Sequence, residues 1–207
     1  GLDRPERLGR ESSRRKIAGA KGRWDLLLSP NAYTTEILRR AYAFDGEIAE
    51  VGYPRNDLLA KPGEQRSAIR ERLGVGQGQT LVMYAPTFRE GQRGKSDFVD
   101  LEALARRLGK NYRLAVRGHS STLRTGSNHE LASVIDVTSY PDSAHMLLAA
   151  DILVTDYSSV MFDFTVTGRP IVFYVPDYDE YTSAGRGTYF DLRATAPGPV
   201  VNDLDGL

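Results

Sequence analysis

Cysteine is absent from all 207 residues. That removes disulfides, thiol nucleophiles and thiolate-held metals together. Histidine is nearly as scarce. His119, His129 and His145 are the only three, and their spacing matches no zinc motif. Net charge is lacking too, because 27 Lys and Arg balance 27 Asp and Glu. A chain without basic excess is a poor general binder of nucleic acid. No apolar run approaches the roughly 18 residues of a membrane span, and no signal-peptide pattern is evident. Neither G-x-G-x-x-G nor a Walker A loop occurs, which leaves a dinucleotide-dependent redox enzyme and a P-loop ATPase without support. The expectation from these absences is a cytoplasmic enzyme with no built-in metal site. The length suits one sizeable α/β domain, or one and a fraction.

What is present centres on Ala149 to Asp163, AADILVTDYSSVMFD. Ile152, Leu153 and Val154 read as a strand buried on both faces of a parallel sheet. Thr155-Asp156-Tyr157-Ser158-Ser159 stops that run. Val160, Met161, Phe162, Phe164 and Val166 then supply the apolar side of a helix. A strand that ends in hydroxyls and a carboxylate and turns into a helix offers a seat for phosphate. Ser158 or Ser159 can equally cap the helix, and the two uses share the same groups.

The same rhythm recurs along the chain. Residues 1–23 are basic and polar, either a solvated helix face or a surface for anionic lipid or a polyanionic acceptor. Trp24 to Leu28 reads as a short buried strand, Ser29-Pro30-Asn31 as a cap, and Tyr33 to Tyr42 as a helix. Ile48 to Val51 is a second strand, and Lys61-Pro62-Gly63-Glu64 is linker-like. A boundary near residue 60 therefore separates residues 1–60 from residues 61–207. Beyond it come a helix ended by Gly74, strands at 80–84, 112–116, 134–137 and 171–174, and helices at 101–108 and 143–150. This β-α-β order implies a parallel sheet. Both ends look cut, with a capped helix expected to begin near Asn202.

Ligands of open α/β sheets sit beyond the carboxyl ends of the strands, and here those ends carry polar loops. Arg117 and His119 share one such loop. A guanidinium can grip a diphosphate, and a histidine beside it can hydrogen-bond phosphate or protonate a leaving group, or be an ordinary loop residue. Arg89 follows Pro86-Thr87 at another strand end, as either a surface arginine or a second phosphate or acceptor contact. Asp177 to Tyr181, followed by Gly185-Arg186-Gly187, is either a disordered surface loop or an aromatic closure over the ligand. His129 reads as a surface residue and His145 as a packing or exposed one.

The ordered set of GYPRND at 52–57, YAPTFR at 84–89, Arg117-x-His119, TDYSS at 155–159 with Phe162-Asp163, Arg169-Pro170, Asp177 to Tyr181, Arg186-Gly187 and Pro197-Gly198-Pro199 closely resembles the CDP-glycerol glycerophosphotransferase family. These are the teichoic-acid-type polymerases and primases of bacterial walls. The likeness runs from about Trp24 onward. It implies a GT-B architecture of two Rossmann-like domains. Residues 61–207 would be most of the nucleotide-binding domain, and residues 1–60 the tail of the acceptor-side domain. By the same resemblance Thr155, Ser158 and Ser159 would bind the CDP-glycerol diphosphate, with Arg117 and His119 catalytic at the same phosphates. Thr87, Arg89, Asp156 and Arg186 would complete the substrate-binding set, and Arg55 and Asn56 would lie at the interdomain crossing.

The implied reaction passes glycerol phosphate to an acceptor hydroxyl of a lipid-linked polyol phosphate, releasing CMP at the inner face of the plasma membrane. The donor is a substrate and no cofactor is implied. Magnesium can assist through the diphosphate, but no carboxylate pair argues for a protein-held ion. The family's acceptor-side His-Gly-Thr-Pro-like motif precedes a Leu-Gly pair that resembles Leu8-Gly9. This chain opens Gly1-Leu2-Asp3-Arg4-Pro5 without that histidine, so the base either lies outside the chain or has diverged, and the chain is expected to bind nucleotide but catalyse little. Glycerol is not distinguished from ribitol, nor primase from polymerase. Two other readings compete: a GT-B glycosyltransferase using a nucleotide sugar, with Asp177 or Glu180 on sugar hydroxyls, and a non-enzymatic lipid- or polymer-binding domain built on residues 1–23.

Overall fold

The computed structural model describes residues 19, 22–61, 63–87, 99–118, 134–183, 188 and 190–207. The chain divides between Asp57 and Leu58 into two compact units.

In the first unit, β1 (Leu26–Ser29) and β2 (Glu47–Glu50) pair in parallel, Leu26 opposite Glu47 and Ser29 opposite Glu50, and are joined by α1 (Ala32–Tyr42). Asn31 starts the helix as its sequence suggests: its side-chain oxygen accepts the Thr34 N–H at 2.9 Å. A 3₁₀ turn over Pro54–Asn56 follows. β1 is not buried as expected. Leu26 is 47% and Leu28 41% exposed, while Ser29 is fully buried. With side chains alternating across a strand, only one face of this two-stranded sheet is covered.

The second unit follows a short helix, α2 (Asp57–Ala60), that straddles the division. It comprises α3 (Gln65–Arg72), β3 (Thr80–Ala85), α4 (Leu101–Leu108), β4 (Tyr112–Val116), β5 (Val134–Asp136), α5 (Ser143–Ala149), β6 (Ile152–Thr155), α6 (Val160–Thr165), β7 (Ile171–Tyr174), α7 (Tyr178–Ser183), α8 (Leu192–Thr195) and β8 (Val200–Val201). The six strands form one all-parallel sheet in the order β5-β4-β3-β6-β7-β8. Two crossovers run one way from β3, the chain then returns across the sheet to β6, and two more run the other way, the doubly wound Rossmann arrangement. Residues 202–207 are turns rather than the start of a helix, with the Asp203 carboxylate accepting the Gly206 N–H at 2.8 Å.

Alternation along β3 explains why its whole run is apolar. Leu81, Met83 and Ala85 join one core with Leu148, Leu153, Phe164 and Phe173. Val82 and Tyr84 join another with Val99, Leu104, Leu114 and Val154. Each face of the sheet is thus sealed by helices, as parallel sheets require. Gly198 has a separate reason to be glycine: a Cβ there would fall 2.0 Å from the Ile171 carbonyl oxygen, so β8 could not lie against β7 with any side chain at this position.

The amino-terminal end of β6 is held by charge. The Asp151 carboxylate pairs with Arg66, pairs with Arg70 at 2.7 Å, and accepts the Leu81 N–H at 2.7 Å. Arg66, Arg70 and Arg169 also donate to the carbonyls of Leu148, Ala149 and Ala150, which are the unpaired acceptors at the end of α5. Burial alone would raise the Asp151 pKa. The Leu81 N–H and the two arginines outweigh it and hold the carboxyl below its ordinary value of 3.8.

Candidate functional site

The winding reverses between β3 and β6, so the loops beyond their carboxyl ends part and leave a crevice. A cleft of about 740 Å³ lies there, formed entirely within the second unit. The end of β3 and the loop after it supply Ala85, Pro86 and Thr87, the loop after β4 supplies Arg117 and Gly118, and the β6–α6 connection supplies Tyr157, Ser158 and Ser159. Asp163 from α6 and Tyr181 from α7 also line it. The structure therefore brings Thr87, Arg117, Ser158 and Ser159 together, although they are drawn from three separate strand ends.

Thr155 and Asp156 were expected to touch the ligand, and both are turned inward instead. The Thr155 hydroxyl is fully buried and donates to the Ala85 carbonyl at 2.7 Å. The Asp156 carboxylate, 3% exposed, accepts the Thr87 N–H through both oxygens at 2.9 and 3.0 Å. Neither lines the cleft. A buried polar group needs a partner, and these two find theirs across the switch point, where they fix the β3 loop to the β6 loop. They are braces for the site.

Arg117 has a double setting. It lines the cleft, while its Nη1 donates to the carbonyls of Val137 at 3.1 Å and Tyr140 at 3.0 Å. Those bonds fix the loop leading to α5. Among the described residues, no partner is recorded for its Nε or Nη2, so the guanidinium retains donors for an anion. Gly118 N–H is committed to the Thr138 hydroxyl at 2.9 Å.

The serines divide their tasks. Ser158 Oγ accepts the Val160 N–H at 3.4 Å, a long bond. Ser159 occupies the N-cap position of α6 with no side-chain capping bond and is exposed. The expected capping role is therefore slight, and Ser159 opens onto the cleft. Asp163, one turn further along, lies on the same face of α6.

Asp177 to Tyr181 is not a loop. α7 packs its Tyr181 ring flat on Tyr157, with centroids 3.7 Å apart and planes 5° from parallel. The Tyr157 hydroxyl donates to one oxygen of Asp177 at 3.2 Å, and neither Asp177 nor Glu180 is among the residues that line the cleft. On its other side, α7 is tied to α8. The Tyr178 hydroxyl donates to Asp191 at 2.9 Å, and Arg193 lies 3.9 Å over the Tyr178 ring. Burial first, then that bond, raises the Tyr178 phenol above its ordinary 10.0, and the same bond leads the causes that lower Asp191. Tyr181 belongs to the segment read as an aromatic closure, and it lines the cleft; Tyr157 is a cleft residue that sequence reasoning missed. Its signal was a tyrosine inside the 155–159 motif, with nothing local to show that it meets Tyr181.

His119, Arg89 and Arg186 lie outside the described residues, as do His129 and residues 1–18. Arg55 and Asn56 belong to the first unit, where the Arg55 guanidinium lies 4.1 Å over the Tyr53 ring. His145 sits on α5 with its Nε2 3.8 Å from Asp142. Among the described residues, no group of three His, Cys, Asp or Glu side chains is placed to hold a metal ion.

Known proteins share this chain's pattern. It is 41% identical over 206 residues to a teichoic acid poly(glycerol phosphate) polymerase of Bacillus spizizenii, covering 94% of this chain and 52% of the relative. It is 40% identical over 195 residues to a teichoic acid glycerol-phosphate transferase of Staphylococcus aureus, covering 89% and 50%. Among solved structures, the wall teichoic acid polymerase TagF, as a histidine-to-asparagine variant soaked with CDPG, superposes with a TM-score of 0.80 at 37% identity, over 94% of this chain and 49% of that one. The chain thus spans about half the length of each of these relatives. The profile of the CDP-Glycerol:Poly(glycerophosphate) glycerophosphotransferase family matches residues 1–207. On these sequence and structural grounds, the chain belongs to the CDP-glycerol:poly(glycerophosphate) glycerophosphotransferase family.

Proposed function

We propose that this chain carries the donor site of a transferase that moves glycerol phosphate from CDP-glycerol to an acceptor hydroxyl. The observation behind this reading is the switch-point cleft, where Arg117, Ser158 and Ser159 converge beside Thr87 in a member of this family. Its volume suits a small-molecule ligand, and its donors suit a diphosphate.

In this reading residues 61–207 form the nucleotide-binding domain and residues 1–60 the end of an acceptor-side domain in a GT-B pair, with Arg55 and Asn56 at the crossing. The acceptor hydroxyl attacks the β-phosphorus of CDP-glycerol. A new P–O bond forms, the P–O bond to CMP breaks, and the hydroxyl proton passes to a base on the acceptor side. Two needs dominate: alignment of the phosphorus and stabilisation of charge on the departing phosphate. Arg117 and the two serines serve the first. His119, which follows Gly118 directly, serves the second, and Arg89 and Arg186 add positive charge. Thr155 and Asp156 keep the two loops in register. The acceptor is a lipid-linked polyol phosphate, reached from the inner face of an anionic membrane to which the basic residues 1–23 adhere. The donor substrate is the only small molecule the scheme needs; magnesium, where used, rides on the diphosphate.

Calorimetric titration with CDP-glycerol, CDP-ribitol, CMP and UDP tests this. Selective binding of a CDP-polyol, weakened at least tenfold (about 1.4 kcal/mol) in His119→Ala, is the expected result. A folded chain that prefers UDP, or binds none of the four, refutes it.

A further inference from the structure

The side chains of the cleft serines are held only lightly by α6: Ser159 makes no capping bond and the Ser158 bond is long. Asp156 braces their connection to the β3 loop. A second grip comes from Tyr157, immediately before the serines. It is 8% exposed, its ring is stacked face to face on Tyr181, and its hydroxyl is bonded to Asp177. Both of those partners come from the segment that follows the neighbouring strand, β7. That segment is in turn clamped to α8 by the Tyr178–Asp191 bond and by Arg193 over the Tyr178 ring. A flat ring pair resists sliding and tilting in a way that aliphatic contact does not, and the hydroxyl bond fixes its rotation.

We propose that Tyr157, Tyr181 and Asp177 are positioning residues: the tyrosine stack, keyed by the Asp177 bond, sets Ser158 and Ser159 at the mouth of the cleft. The consequence for ligand affinity rests on the donor-site reading above. No contact between Asp177 and ligand is required, and Tyr181 acts through the serines.

Hydrogen exchange on the chain without ligand tests the positioning directly. The amides of Val160, Met161 and Phe162 bond to Ser158 and Ser159 and report the setting of the connection. Tyr181→Leu, which keeps apolar bulk but loses the flat ring, should speed their exchange by about tenfold, the order of one aromatic pair. The strand amides of Leu153 and Phe173 should keep their wild-type rates. Tyr181→Phe should restore slow exchange at Val160–Phe162. If Tyr181→Leu does not fold, Tyr157→Phe, which deletes only the Asp177 bond, carries the same test through the same amides. Unchanged exchange in the folded variant overturns the proposal.

The functional arm is a double-mutant cycle for CDP-glycerol binding between Tyr181→Leu and Ser158→Ala/Ser159→Ala. Non-additive losses are expected, because Tyr181 acts through the serines. Additive losses overturn that route. A wild-type chain that binds no CDP-polyol sinks the donor-site reading, while the exchange result still decides the stack.

Discussion

Asp151→Asn should cost this fold more than its half-exposed position suggests. The carboxylate pairs with Arg66 and Arg70 and accepts the Leu81 N–H, and its side chain is 28% exposed. An exposed ion pair contributes about 0–1 kcal/mol, whereas breaking a buried one costs about 3–5 kcal/mol. Asp151 lies between, and a neutral amide leaves three arginines, 66, 70 and 169, without their shared anion. The expected loss is about 2–3 kcal/mol, or roughly 4–12 °C in melting temperature for a unit of this size. Urea and thermal unfolding followed by circular dichroism at pH 7 measure it.

The pH dependence provides a second check on Asp151. Its folded pKa lies below the ordinary 3.8. The carboxylate's contribution is therefore complete above 3.8 and is lost as pH falls through the lower folded value. The gap between wild type and Asp151→Asn should be constant from pH 7 to about 5 and close in acid below 3.8. A variant within about 0.5 kcal/mol of wild type at pH 7, or a gap indifferent to acid, refutes the reasoning.

Gly198→Ala should detach β8 from β7, because its Cβ would strike the Ile171 carbonyl; a loss of about 1–3 kcal/mol read from the melting temperature is expected. Thr155→Val removes the bond to Ala85 and should cost about 1–3 kcal/mol and weaken CDP-glycerol binding in calorimetry, since the brace is lost along with the stability. Phe164→Ala, at a position with no exposed surface, should cost about 3–5 kcal/mol in urea unfolding and leave the least stable of these variants.

Much of the second unit was legible because parallel strands buried on both faces read as unbroken apolar runs. Leu81 to Tyr84 and Ile152 to Val154 are such runs, and both are central strands. The same rule failed at Leu26 and Leu28, where the strand belongs to a pair covered on one face only. At the site, residue type announced polar chemistry without saying which kind. Thr155 and Asp156 have the hydroxyl and carboxylate that suit phosphate-site chemistry, yet their partners are Ala85 and Thr87, some 70 positions away. Nothing local distinguishes a brace from a ligand contact. α7 was obscured for a related reason. Its acidic run beside Gly185 and Gly187 has loop character, and the burial of Tyr181 depends on Tyr157, a tertiary contact that no periodicity records.

Because the winding reverses at β3 and β6, the cleft is assembled from segments near residues 86, 117, 143, 158 and 181, which are all in place only once β3, β4, β6 and β7 have paired. Such non-local closure is slow relative to local helix formation, so affinity for ligand should arise only in the last, cooperative stage of folding. A partly folded chain would hold its helices and still be blind to nucleotide. Ligand that binds only the finished state stabilises it by mass action, so on the donor-site reading proposed above the supply of CDP-glycerol would also set how long the folded chain persists.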